Sequence, residues 1–521
     1  MKKILLAVTL GFLACNSSQK SVTENSKTEK ETVSPIVYAN TITETELKEH
    51  LYTYASDEFE GRNTGSKGQK LAVEYLKNEY ESLNIQPAQE DGDYFQDVPL
   101  EISKVPTGTI VLNGKEYKIG TDFITFSSME TSLDKIVYAN FGIETDGYSD
   151  YSTIDVTNKV VLINFGEPKN TDGTYVISGT ALPSKWGNFN ESLSDRLKIA
   201  YDKGAKGILL IKNNNYSRLL SRFEYIANSS REILKLATNS SADLPMIMVN
   251  QNLGNQFKKI VGSATSSKEI EVDLDLNIKS GNKKINSENV VAFLKGNELP
   301  EEYVVISSHL DHIGISNDGQ INNGADDDGS GTVALLEIAE AFKKAADEGN
   351  GPKRSIVFLH VTGEEKGLLG SKYYTDFEPI FPLEKTVANL NIDMIGRIDP
   401  NREGDRNYIY LIGSDKLSTE LHELSEEVNS KYAQLELDYT YNDENDPNRF
   451  YYRSDHYNFA KNNIPIIFYF NGTHEDYHRP GDTPDKINYD LLQNRTRLVF
   501  HTAWEVANRA NKIVVDKPVI N

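Results

Sequence analysis

"YVVISSHLDHIGISNDGQINNGADDDGSG", residues 303–331, opens as an unbroken apolar run, ends that run in His309 and Asp311, and crosses turn chemistry to reach three consecutive aspartates. An apolar run without alternation is a strand buried on both faces. The segment after the aspartates reads as a helix, with Leu335, Ile338, Ala339, Phe342 and Ala346 recurring on one face. Asp326, Asp327 and Asp328 repel one another and gain nothing by burial unless a cation sits among them. Gly324, Gly329 and Gly331 let the backbone turn tightly while one aspartate faces inward.

The same pattern recurs outward from this stretch, in "NVVAFLKG" (289–296), "SIVFLHVTGEE" (355–365), "TVANLNIDMIG" (386–396) and "IPIIFYFNG" (464–472). Buried strands alternating with helices predict an α/β fold with a mostly parallel twisted sheet sandwiched by helices. In such folds chemistry gathers at the carboxyl ends of the strands. Those ends carry His309 and Asp311, Glu364 and Glu365, Asp393, and then Tyr477, His478 and Asp482 within "NGTHEDYHRPGD" (471–482). Imidazoles and carboxylates without a thiolate suit zinc, or less selectively cobalt or manganese. Two dications sharing one carboxylate would supply the positive charge that clustered aspartates need. A calcium loop is the rival reading, because "DDDGSGTVALLE" (326–337) has EF-hand spacing, but "ISNDGQINNGA" (315–325) is turn chemistry where an EF-hand needs an entering helix.

A chain of 521 residues predicts two domains, and 38% hydrophobic with 25% charged residues reads as soluble and globular. The formal charge of −22 repels nucleic acid, which is set aside as a partner. "MKKILLAVTLGFLAC" (1–15) reads as an export signal, too short in its apolar run to span a bilayer. Cys15 is the single cysteine, so neither an internal disulfide nor a thiolate metal site is possible. Its setting resembles a bacterial lipobox, which implies acylation after cleavage; ordinary cleavage and release is the alternative. Residues 16–37 read as a disordered tether and "GSKGQKLAVEYLKNEYESLNI" (65–85) as an amphipathic helix with Ala72, Leu76, Tyr80 and Leu83 inward. Between 109 and 276 the texture changes to short strands ("NKVVLINFGE", "KGAKGILLI", "LPMIMVN") around one clear helix, "SDRLKIAYDKGAKG", which is an inserted smaller α/β domain. Its pieces resemble a protease-associated domain.

"SSHLDHIG", "GADDDGSG", "VTGEEKGLLGS", "NIDMIG" and "YHRPGDTPDKI", in this order, resemble the co-catalytic di-zinc exopeptidases, the family of secreted bacterial aminopeptidases and glutamate carboxypeptidases; "SDEFEGRNTGSKGQKLAVEYL" (56–76) resembles their N-terminal segment. The resemblance implies a zinc exopeptidase fold split into 38–108 and 277–516 by the insertion. It implies two Zn2+ per chain, with Asp327 bridging them, His309 and Asp393 completing one site, and Glu365 and His478 completing the other. Glu364 would be the general base for a metal-bridging hydroxide, Asp311 the carboxylate that fixes the His309 imidazole, and Tyr477 a partner for the oxyanion. The implied function is an exported aminopeptidase acting on peptides, held in the cell envelope by a lipid on Cys15 or else secreted, with no other membrane contact. A carboxypeptidase or dipeptidase, with Arg397 pairing a substrate carboxylate or only an exposed salt bridge, is the alternative within the family. A single-zinc glutaminyl cyclase and a receptor-like protein without activity are the others. Of the remaining residues, His360 reads as a core histidine, His312 as either cleft-lining or solvated, His456 as bordering the cleft or structural, and Asp482 as a turn cap.

Overall fold

The apolar runs form the middle of a ten-stranded sheet. Its strands are β1 (Phe95–Ser103), β2 (Ile233–Leu236), β3 (Lys283–Leu294), β4 (Leu299–His309), β5 (Arg354–Val361), β6 (Thr386–Ile392), β7 (Tyr408–Ile412), β8 (Glu436–Asp438) and β9 (Ile466–Phe470), in the order β2-β1-β3-β5-β4-β6-β9-β7-β8, with Gln86–Pro87 paired to β3. The computed structural model describes residues 33–211, 216–228, 233–237 and 244–519; the expected export signal with Cys15, and residues 16–32 of the expected tether, lie outside the described residues. The tether was expected to run to residue 37, yet a short helix, Ile36–Ala39, has already begun there, anchored by Tyr38 stacked on Trp504.

The sheet is mixed rather than mostly parallel. The run β5-β4-β6-β9 is parallel, whereas β2-β1, β1-β3, β3-β5 and β9-β7 are antiparallel. The reason is local: the short link between Leu294 and Leu299 can reverse the chain but is too short to cross back over the sheet, which a parallel connection requires. An apolar run carries no mark of its direction.

Strand residues alternate between two covered faces, as the two-residue period demands. Val304, Ile306, Ile356, Phe358 and Leu390 pack under α1 (Glu44–Tyr54), α2 (Lys67–Ser82), α6 (Gly331–Asp347) and α9 (Tyr489–Asn508). Val305, Val357 and Leu359 face the other way, onto Tyr374 of α7 (Leu369–Asp376) and Phe459 of α8 (His456–Ala460). In α6 every residue from Gly331 to Ala339 is buried, because this helix lies between the sheet and the two helices α1 and α9. Of its expected face Leu335, Ile338, Ala339 and Phe342 are buried, and Ala345 rather than Ala346 continues it. In α2 the Ser66 hydroxyl caps the N-terminus by accepting from Gln69 N, and Ala72, Leu76 and Tyr80 are buried as expected.

A second, eight-stranded sheet runs from Thr107 to Lys279, with Met129–Tyr138, Val160–Asn164, Gly207–Ile211 and Met246–Val249 parallel at its middle. The helix expected from 194 starts earlier, as α3 (Phe189–Asp202), because Asn188 caps it. Two more helices, α4 (Tyr216–Asn228) and α5 (Gln251–Val261), join it. The polar, glycine-interrupted sequence of α5 hides its repeat, but Leu253, Phe257 and Val261 are its buried side. Strand β2 lies within the same stretch of sequence but belongs to the first sheet.

His360 on β5 is a core histidine, as its place in the sequence suggests: it is fully buried, with Nε2 2.7 Å from Tyr80 Oη and Nδ1 2.9 Å from Ser308 Oγ. Burial pushes its pKa down to about 3. A histidine kept neutral in the fold but protonated when unfolded stabilises the fold above its unfolded pKa of about 6.5, and that stability is lost as pH falls below it. His360→Gln should therefore flatten the acid limb of the stability curve between about pH 6 and 4, by about 1.4 kcal/mol per pH unit, as read from urea unfolding of both proteins across that range.

Candidate metal centre

The three aspartates of the 324–331 corner are all buried, and their side chains diverge. Asp326 Oδ1 accepts from Gly396 N (2.6 Å) and Ser330 Oγ (3.0 Å), while its Oδ2 accepts from Asn471 Nδ2 (3.1 Å) and lies 3.2 Å from His474 Nε2. Asp328 Oδ1 accepts from Gly331 N and Met394 N, and its Oδ2 from His309 N, at 3.0–3.1 Å. Two of the three charges are thus answered by the protein's own N–H and O–H groups, which hold a buried carboxylate through charge-assisted bonds. Asp327 is the one turned to the centre.

The corner is held from both sides. Asp482 accepts from Asp326 N with both oxygens (3.1 and 3.0 Å) and from Asp327 N (3.1 Å), far more than the turn cap that Pro-Gly-Asp suggests. Arg62, also fully buried, donates to the main-chain oxygens of Leu310, Tyr54, Asn323 and Gly324. Gly324 has φ +60°, and a Cβ there would stand 2.4 Å from Asp327 O and 2.6 Å from the His312 ring.

Around Asp327 the expected residues converge. His309 Nε2 lies 3.2 Å from Asp327 Oδ1 and 3.6 Å from Asp393 Oδ1. His478 Nε2 lies 3.1 Å from Asp327 Oδ2 and 3.0 Å from Glu365 Oε2. Ligand atoms of His309, Asp328 and Asp393 lie within 4.8 Å of one another, as do those of His312, Asp327 and Glu365. Asp328 has spent its oxygens on main-chain amides, so Asp327 is the better third member of the first group. His309 Nε2, Asp327 Oδ2 and Glu365 Oε1 are buried and make no hydrogen bond. Imidazole nitrogens and carboxylate oxygens this close, yet not aligned for hydrogen bonding, fit the donor set of a divalent cation. Burial alone would raise the Asp327 pKa, but His309, His312 and His478 hold it well below the ordinary carboxylate range. Burial would lower His478, and Asp327 with Glu365 push it up to about 10.

Several side chains act otherwise than their motifs suggest. The Asp311 carboxylate does not hold the His309 imidazole; His309 Nδ1 is 2.9 Å from the Asp311 main-chain oxygen, while the carboxylate accepts from Thr64 Oγ1 (2.7 Å) and Glu364 N (3.1 Å). Two residues along the chain from His309, the carbonyl faces the ring and the side chain turns to the next strand exit. His312 is fully buried, not solvated, with Nδ1 2.8 Å from Glu365 Oε1. His456 is structural: it bonds Tyr451 O through Nε2 (2.8 Å) and stacks on Phe468. Arg397 is no exposed salt bridge but is buried against Asp476 at 3.1 Å. A polar relay missed in the sequence runs from Ser307 Oγ to Asn391 Oδ1 (2.7 Å), from Asn391 Nδ2 to Ser454 Oγ (2.9 Å), and from Ser454 Oγ to Asp393 Oδ2 (2.6 Å), so Asp393 is aimed from beneath the sheet.

Glu364 is half-buried, and desolvation there, with Asp393, Glu365 and Asp455 nearby, raises its pKa well above the carboxylate range even against His309. It lines a small pocket of about 30 Å³ with Asp327, Asp393, Tyr477 and Arg453, whose apolar wall is Met394, Phe450, Phe468 and Phe470. The Tyr477 hydroxyl accepts from Arg453 Nη2 at 3.3 Å, and its ring stacks on His478.

This α/β sheet, with a buried cluster of imidazoles and carboxylates at its strand exits, has the architecture of a metal-dependent hydrolase. Residues 289–503 match the model of peptidase family M28, and the chain is a hydrolase. It is 25% identical over 495 residues to a probable leucine aminopeptidase 2 of Aspergillus oryzae, covering 90% of this chain and 83% of that protein. It is 22% identical over 533 residues to aminopeptidase YwaD of Bacillus subtilis, covering 98% and 96%. Among solved structures, an aminopeptidase from Aneurinibacillus sp. strain AM-1 aligns with a TM-score of 0.45 at 19% identity, over 94% of this chain and 100% of that one. A zinc aminopeptidase from Bacillus subtilis aligns with a TM-score of 0.45 at 18% identity, over 90% and 97%.

Asp482→Ala leaves two buried main-chain amides without an acceptor, and should lower stability by about 3 kcal/mol. Asp482→Asn, which keeps one oxygen, should lose roughly half of that. Denaturant unfolding of the two variants beside the native protein checks the order.

Proposed function

We propose that the protein is an exported di-zinc aminopeptidase that removes residues from the N-terminus of peptides. The observation that carries this is the position of Asp327, with one oxygen toward His309 and the other toward His478. His309, Asp327 and Asp393 would hold one zinc, and Asp327, Glu365 and His478 the other. Bound there, the zinc pair supplies a Lewis acid that activates water and polarises the peptide carbonyl. Glu364 takes the proton of the attacking water and returns it to the departing amine, because an amide anion leaves poorly. The Asp311 carboxylate positions Glu364 through its main-chain N–H. The Tyr477 hydroxyl donates to the oxygen that gains charge in the tetrahedral state.

The small pocket supports action at the amino end. It lies against Asp327, Glu364 and Asp393, and its apolar wall of Met394, Phe450, Phe468 and Phe470 suits the side chain of the substrate's first residue. Arg397, the residue expected to pair a terminal carboxylate in the carboxypeptidase reading, is engaged by Asp476. A single-zinc cyclase is disfavoured by the second donor group around Glu365. We read the stretch from Thr107 to Lys279 as the protease-associated insertion and residues 1–15 as the export signal with Cys15 as its lipid-bearing residue.

The protein should release free amino acids from unblocked peptides, spare N-acetylated ones, and carry close to two zinc ions per chain by elemental analysis; cleavage from the carboxyl end would overturn the reading. Glu364→Gln should lower kcat by about 10²–10⁴-fold while retaining zinc, whereas Asp327→Ala should lose zinc and activity together.

A further inference from the structure

The stretch that builds the second sheet also sends a strand to the first. Strand β2 pairs antiparallel with β1, Ile233 opposite Ser103 and Leu236 opposite Leu100, and so becomes the edge of the peptidase sheet. Lys235 Nζ meets Glu101 Oε1 at 3.0 Å, and Leu234 and Leu236 pack on Val98, Leu100 and Leu369. Together with α4 this strand walls a cleft of about 820 Å³. Tyr225, Ile226, Ile233 and Leu234 line the wall, Ile102 and Ile285 the floor, and Glu365 and His478 the inner end. Tyr225 is 73% exposed and Ile233 43% exposed, large apolar side chains facing open space beside a catalytic cluster.

Neighbours in sequence divide between the two cavities. Glu364 and Tyr477 line the small pocket, while Glu365 and His478 line the larger cleft. The cleft thus adjoins the small pocket at these two residue pairs, where a peptide whose first residue occupies the pocket can continue.

We propose that this cleft receives the substrate beyond the scissile bond, and that Tyr225, Ile226 and Ile233, all contributed by the inserted stretch, select a bulky apolar side chain at the substrate's second residue. The proposal rests on the aminopeptidase reading. Apolar area removed from water on both partners is the source of the preference, and it enters through binding rather than through the chemical step.

The test compares three substrates that share their first residue: the aminoacyl amide, whose leaving group is ammonia and reaches nothing in the cleft, the dipeptide ending in glycine, and the dipeptide ending in phenylalanine. The native protein should turn over the phenylalanine dipeptide with a kcat/KM at least tenfold above the glycine one. Tyr225→Ala and Ile233→Ser should each erase most of that ratio through KM, with the amide's kcat/KM unchanged. Equal kcat/KM for the two dipeptides in the native protein would overturn the inference while leaving the aminopeptidase reading intact. A fall in amide turnover equal to that of the phenylalanine dipeptide would overturn it too, by showing a merely structural role. Release of no N-terminal residue from any of the three would overturn both.

Discussion

Main-chain amides held by buried carboxylates are the constraint on which this site depends. Asp482 grips the amides of Asp326 and Asp327, Asp328 grips those of His309, Gly331 and Met394, and Asp326 grips that of Gly396. These bonds stitch the exits of β4 and β6, the start of α6 and the loop after β9 into one body. With its backbone so fixed, Asp327 has no freedom to turn away, and its charge is presented to His309 and His478. Arg62 adds the same service from the N-terminal segment, joining α1 to the loop ahead of the aspartates through four main-chain oxygens. A buried guanidinium with its donors satisfied by carbonyls is a rigid strut, since any displacement strands several polar groups at once.

The sheet explains why the site can be assembled from segments so far apart in the chain. Only the parallel run β5-β4-β6-β9 needs to send its carboxyl ends the same way, and it does. The flanking strands carry none of the candidate ligands and serve as a platform, to which the stretch from Thr107 to Lys279 adds β2 as a further edge. The stretch from Thr107 to Lys279 is thereby tied to the first sheet by hydrogen bonds and an apolar cluster, and its helix α4 lines the cleft that also holds Glu365 and His478.

The chain alone pointed to the side chains that converge but not to their supports. His309, Glu364, Glu365, Asp393 and His478 stood out because each lies beyond an apolar run, and a polar residue at the exit of a buried strand has a defined place; Asp327 stood out as the middle of three repelling carboxylates. Ser307, Asn391 and Ser454 did not, since a hydroxyl or amide inside a strand carries no signal until its partner on the adjacent strand is known. His312 was ambiguous for the same reason, its burial being set by Gly324 and Glu365 rather than by its neighbours in sequence. The clustered aspartates were read as one feature with one cause. In the fold two of them are clamps and one faces the centre, a division that depends on which amides lie within reach.

Periodicity, strand exits and residue chemistry are local properties, so the α/β class, the helix spans near 65–85 and after 331, and the identity of the candidate ligands were determined by the sequence itself. Strand direction, the mixed order of the sheet, the exchange of β2 from one stretch to the other's sheet, and the second tier of residues that aims each ligand were decided by tertiary structure. Those depend on which segments become neighbours in space, and burial assigns a partner to every polar group only once that packing exists.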